Sequence, residues 1–197
     1  NQDGTNSIYS LDRTTGEIEP VLDCQEGLCL SPRLSPDGIH LAFEFIPQAG
    51  NQFPGVRVLS LEVDKLINPG DEKDYLENPT WSSSGTLAYY NQSQKGYGFW
   101  DPGTGNSQFL PNETGGDGTW SPDGSFFICS EIQFTSQTLA PRHLLLFDLE
   151  EETLQDLTQG RFLEDLNPSF APQELILAFS RKSLEPQDWS PGRQLWL

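Results

Sequence analysis

The chain reads as an all-β protein, a β-propeller of four-stranded blades with about four blades in its 197 residues. Three observations predict this. A short phrase recurs four times, its anchor residues Leu34, Trp81, Trp120 and Phe170 lying 47, 39 and 50 residues apart. That period, roughly 40–50 residues, is the length of one blade, and a unit so repeated needs its neighbours to bury its apolar face. Stretches around each phrase alternate apolar and polar residues with period two, the mark of a half-buried strand, and helix-period stretches are absent. Finally, 15 Pro and 18 Gly are spread evenly, as punctuation between short strands.

Each phrase opens with a short apolar strand (A) that ends at the anchor. A tight turn follows, Ser35-Pro36-Asp37-Gly38 in the first copy and Ser121-Pro122-Asp123-Gly124 in the third. Pro presets φ, Asp bonds the backbone ahead, and Gly takes the left-handed corner. The second copy replaces Pro-Asp with Ser83-Ser84, and the fourth replaces Asp-Gly with Gln173-Glu174. Strand B comes next: in the first copy Ile39, Leu41, Phe43 and Phe45 alternate with His40, Ala42 and Glu44. Strand C is a second apolar run, as in 56–61, 97–101 and 143–148, closed by polar turns such as 101–105. A weak strand D ends the unit, as in 107–110 and 153–157.

The Trp-Ser-Pro-Asp-Gly phrase, followed by a Leu-Ala-Phe-like strand and an Ile-Tyr-x-Leu-Asp-like strand, resembles the repeat of TolB-type β-propellers. The same repeat occurs in the propeller domains of prolyl-oligopeptidase-like enzymes. The resemblance covers nearly the whole chain, and it implies a non-catalytic, periplasmic propeller acting in assemblies at the cell envelope, or a propeller that gates a peptidase. Propellers host unrelated activities, so the fold alone does not choose, and a small-molecule or glycan binder or lyase using the central channel is the third reading.

The expected organisation is one domain, 1–197, with repeats near 32–78, 79–117, 118–167 and 168–197. A C–D hairpin over 7–22 precedes them, and the last unit has A, B and C strands without a D. If hairpin and last unit share a blade, the ring closes with four blades. If they do not, the chain is a segment of a larger, six-bladed TolB-like ring. The complementary ends and the aggregation liability of raw strand edges tilt the expectation to the closed body.

A net charge of −18 repels DNA, RNA and anionic lipid, because phosphate binding needs clustered Lys and Arg, and the 11 present are scattered. A basic protein or peptide partner fits better, with simple solubility the other reading of so acidic a surface. No apolar run is long enough to span a membrane as a helix. Cys24 and Cys29 flank a short loop and are a candidate disulfide, with two free thiols the alternative; an oxidising, extracytoplasmic compartment permits the bridge. Cys129 takes a core position of its repeat. Catalytic residues, metal sites and cofactors are not expected. His40 and His143 lie in strands rather than in a shared loop, no Gly-x-Ser-x-Gly elbow exists, and Asp37 and Asp123 read as turn residues before ligands. The start, Asn1-Gln2-Asp3-Gly4-Thr5-Asn6, lacks the spaced acids of a calcium loop.

Strand direction alternates from A to D, which puts B–C and D–A loops on one face. Three B–C loops are long, 46–55, 132–142 and 181–193, and carry Phe53, Phe134 and Trp189. Long loops on a rigid scaffold concentrate binding residues, and aromatics and Arg are the usual anchors. The candidate binding residues are therefore Phe53, Phe134, Arg142, Arg181 and Trp189.

Overall fold

The computed structural model describes residues 6–49, 52–116, 118–134, 140–185 and 192–197, and these contain strands and turns but no helix. A hairpin of β1 (Asn6–Leu11) and β2 (Ile18–Cys24) leads. The first full blade is β3 (Gly27–Leu34), β4 (His40–Pro47), β5 (Gly55–Ser60) and β6 (Lys65–Ile67). The second is β7 (Leu76–Trp81), β8 (Leu87–Asn91), β9 (Gly96–Trp100) and β10 (Ser107–Pro111). The third is β11 (Thr119–Trp120), β12 (Phe126–Ile132), β13 (Arg142–Asp148) and β14 (Thr153–Asp156). The last unit has three strands, β15 (Leu163–Phe170), β16 (Leu177–Ser183) and β17 (Gln194–Trp196). Within each unit neighbours in sequence are antiparallel neighbours in the sheet, the A-to-D order of a blade. One parallel bridge, Arg142 against Glu164, joins the third and fourth sheets at their loop ends.

The recurring turn works through its serine as much as its aspartate. Ser35 and Ser121 are buried, their hydroxyls accept the N–H of His40 (2.9 Å) and Phe126 (3.0 Å), and they donate to Asp37 and Asp123. Gly38 and Gly124 sit at φ +75° and +77°, where a side chain would be strained. In the second blade Ser84 stands in for the aspartate, 2.8 Å from the Ser82 hydroxyl, which accepts the Thr86 N–H at 2.9 Å. The fourth turn has no such serine and is closed by the Ala171 N–H on the Ile176 carbonyl at 2.9 Å.

These bonds have a pH consequence. The Ser35 hydroxyl, then the Ile39 N–H, hold Asp37 below the usual carboxylate range, and the Ser121 and Ser125 hydroxyls do the same for Asp123. Groups depressed in the folded state stabilise it fully above the unfolded pKa and lose that contribution as pH falls through the folded value. Stability should therefore be flat near neutrality and decline below about pH 4. Thermal melts across that range should show it, and Asp123→Asn should make the decline shallower. An equal slope in the variant would assign the acid sensitivity to other groups.

Three A strands carry the same irregularity. Ser31, Asn78 and Asn167 have φ of 51°, 54° and 54°, each precedes a proline, and each lies where the A–B register slips, between Leu30 and Arg33, Glu77 and Thr80, and Leu166 and Ser169. Proline has no N–H for the ladder, so it sits at a bulge, and the left-handed residue before it supplies the bend. Asn78 is further tied to the first blade, its N–H donating to Glu44 Oε1 at 2.8 Å.

The cores lie between sheets. Hairpin and first blade enclose Ile8, Leu41, Phe43 and Leu59, and Asn6 clasps Cys29, accepting its N–H and donating to its carbonyl, both at 2.7 Å. First and second blades enclose Val56, Val58, Leu87 and Trp100. Second and third enclose a ring cluster in which Trp120 meets Phe99 at 5.6 Å and Phe127 at 5.1 Å. The anchor tryptophans also bond the preceding A strand: Trp81 Nε1–H to the Arg33 carbonyl (3.0 Å) and Trp120 Nε1–H to the Thr80 carbonyl (3.2 Å). Leu34, the first anchor, is 58% exposed, with the two-stranded hairpin before it among the described residues.

Of the two arrangements open from sequence, a partial propeller segment fits the described residues. The β1–β2 hairpin forms its own two-stranded sheet, packs along β3, and shares no ladder with β15–β17. On the last unit Leu177 and Phe179 are only half-buried, whereas Phe127 and Cys129 at the equivalent places are buried.

Candidate functional site

The face carrying the B–C and D–A loops bears two of the exposed aromatics. Phe53 follows β4 and is 52% exposed; Phe134 follows β12 and is 77% exposed. Trp189 lies outside the described residues. The short turn after β8 is pinned to the preceding D–A loop: Gln94 and Asn91 donate to Asp74 Oδ2, the latter at 2.7 Å, and Tyr75 N–H donates to Ser93 Oγ at 2.9 Å. The aromatics thus project from the first and third blades on either side of a tied-down second blade. No ring contact joins Phe53 to Phe134 among the described residues.

The two arginines singled out with them are engaged inside the protein. Arg181 makes a paired hydrogen bond to Asp165, Nε to Oδ1 at 2.7 Å and Nη2 to Oδ2 at 2.8 Å, and its guanidinium lies over Phe179 and Trp196 at 5.1 and 4.9 Å. Asp165 is fully buried, and its hydrogen bonds raise the Arg181 pKa. The reason lies in the sheet: Asp165 and Arg181 are register partners on β15 and β16, which no sequence pattern announced. Arg142 is half-exposed and 3.9 Å from Glu164, which also pairs with Arg193.

Cys24 and Cys29 are joined by a disulfide, Cα to Cα 6.1 Å. It borders a cleft of about 490 Å³ between the hairpin, the first blade and the loop after β6. Phe43, Phe45 and Leu66 give it an apolar floor, and Arg57 reaches into it from β5. A second cavity, about 250 Å³, lies where the bulged A strands converge, lined by Ser31, Arg33, Asn78, Thr80 and Gly118.

Two buried titratable groups elsewhere, His143 and Cys129, are engaged or inert. His143 is buried with Nδ1 2.7 Å from Asp156 and Nε2 3.0 Å from the Gly160 carbonyl, so the ring ties the D–A loop to β13. The Cys129 thiol is buried and pushed up to about 12, chiefly by desolvation, which makes it a poor nucleophile. Among the described residues no group of His, Cys, Asp and Glu is placed to hold a metal ion, and no helix is long and apolar enough to cross a membrane.

No family model and no curated protein matches this sequence, but many solved structures match its backbone. TolB from Acinetobacter baumannii superposes with a TM-score of 0.58 at 18% identity, over 90% of this chain and 46% of that one. The fold is that of a TolB-like β-propeller. Oligogalacturonate lyase from Vibrio parahaemolyticus gives a TM-score of 0.59 at 18% identity, over 95% of this chain and 55% of the lyase. Dipeptidyl peptidase 4 from Porphyromonas gingivalis gives 0.69 at 10% identity, over 93% of this chain and 34% of the peptidase. The chain spans about a third to a half of the length of these structures. TolB-like propellers thus include a protein with no enzyme name beside lyases and peptidases, so the fold leaves enzymatic status open, as expected where function resides in sites grafted on a scaffold.

Proposed function

We propose that residues 1–197 form one propeller domain that acts as a non-catalytic scaffold, docking a basic protein or peptide on the face of its B–C and D–A loops in an extracytoplasmic, periplasm-like compartment. The observation that carries this reading is the pair of exposed aromatics, Phe53 and Phe134, on the long loops of one rigid face. Large exposed rings rimmed by polar groups are the usual anchors of an interface. The net charge of −18 favours a basic partner and its electrostatic steering. The Cys24–Cys29 bridge suits an oxidising compartment. The occupied state of His143 and the inert Cys129 thiol support the absence of nucleophilic chemistry. The cavity where the A strands converge favours a second reading, a small-molecule or glycan site on the axis.

The test is capture of a partner from periplasmic extract by wild type and by a Phe53→Ser, Phe134→Ser double variant. Capture should be lost with the melting temperature nearly unchanged, since surface substitutions generally move stability by under about 0.5 kcal/mol. Association of the wild type should slow as salt rises. Capture retained by the double variant would move the site to the axial cavity or the opposite face.

A further inference from the structure

Repeat alignment exposes one residue that breaks the rule of its own position. On strand C, Arg57 pairs with Phe43, Gly98 with Tyr89, and Leu145 with Cys129, so the three occupy the same place in successive blades. Leu145 is buried, and Gly98 is covered by the Tyr89 ring, which would lie 2.4 Å from any Cβ there. Both serve the contact between sheets. Arg57 puts a guanidinium at that place instead. It is half-buried, 6.0 Å from the Phe45 ring, and makes no hydrogen bond or ion pair among the described residues. Burial lowers its pKa, and the field of Glu72 offsets that desolvation only in part. A residue that violates the local pattern without an internal partner marks a site.

We propose that this cleft receives the free C-terminal carboxylate of a basic peptide, the carboxylate on Arg57 and the last side chain on Phe43, Phe45 and Leu66. A planar fork of donors matches a carboxylate. The volume, about 490 Å³, is within the range of ligand sites, roughly 300–1,000 Å³. The rim supplies the complementary charge: Asp23, Glu26 and Glu72 border the cleft, and Asn68 holds Glu72 by a 3.0 Å hydrogen bond. Those acids repel an acidic peptide and attract lysines preceding the terminus. The cleft opens among the B–C and D–A loops, with Gln52 on its wall beside Phe53. The proposal rests on the loop-face reading and names the chemistry of its partner.

The experiment uses the peptide acetyl-Lys-Lys-Ala-Leu with a free carboxylate and the same peptide as its carboxamide, titrated into the protein by calorimetry. The carboxylate form should bind on the order of tenfold more tightly, the size of one charge-assisted hydrogen bond. Arg57→Leu, which installs the residue type of the third blade, should melt no lower than the parent and bind both forms alike. Arg57→Lys keeps the charge without the fork and should retain a reduced preference. Equal binding of the two forms by the wild type, binding of neither, or a preference surviving in Arg57→Leu would overturn the proposal. If the cleft fails while capture still depends on Phe53 and Phe134, only the cleft is withdrawn; if both fail, the loop-face reading falls with it.

Discussion

Trp120→Ala should destabilise the protein by about 3–5 kcal/mol, the range for truncating a large core aromatic. Trp120 is 8% exposed at the centre of the contact between second and third blades, edge-on to Phe99 and Phe127, which themselves meet at 5.1 Å. Truncation removes the indole and leaves a cavity that short, hydrogen-bonded strands cannot collapse to fill. It also removes the donor to the Thr80 carbonyl. Trp120→Phe separates the two effects: keeping a ring but not the N–H, it should lose about 1 kcal/mol for the hydrogen bond plus a smaller packing term. Phe134→Ala, on an exposed ring, should cost under about 1 kcal/mol. Urea unfolding of the three variants with a common m-value checks the ranking. A loss at Trp120 no larger than at Phe134 would mean that the blades do not pack through their anchors.

That the anchors could be read at all follows from redundancy. Trp81, Trp120 and their turns recur because every blade solves the same packing problem, so one chain supplies several copies of the same evidence. Strand pairing and the inter-sheet cores are legible for this reason. What was not legible is what occurs once or is set by register. The prolines 32, 79 and 168 belong to the repeated phrase, yet their meaning, a bulge with a left-handed residue before each, appears only when the A–B ladder is seen to slip. Arg181 looks, in sequence, like an interface arginine at the mouth of a long loop. Its partner Asp165 is 16 residues away across a turn, and only the β15–β16 register brings them together. Arg57 is the opposite case: an alignment of the C strands by themselves sets it beside Gly98 and Leu145, and that anomaly could have been found without coordinates.

The ion pair on the last unit yields the second large effect. Arg181→Ala should destabilise by about 3–5 kcal/mol, because it strands a carboxylate in the interior. Asp165 is fully buried, and the two Arg181 bonds of 2.7 and 2.8 Å are the side-chain hydrogen bonds its carboxylate accepts among the described residues. Its backbone carbonyl is spoken for as well, accepting the Ser130 hydroxyl at 2.7 Å and tying the last unit to the third blade. The guanidinium lies over both Phe179 and Trp196, so the same substitution uncovers two rings. A buried pair is costly to break but contributes little over an apolar replacement of both partners. The double variant Asp165→Leu, Arg181→Leu should therefore be more stable than Arg181→Ala alone, and a double-mutant cycle of the two single leucine changes should give a coupling of about 1–3 kcal/mol. Denaturant titration of the four proteins measures it. Additive losses would show that Arg181 is held by its rings rather than by Asp165, and would free it for the partner-binding role its place at the loop suggests.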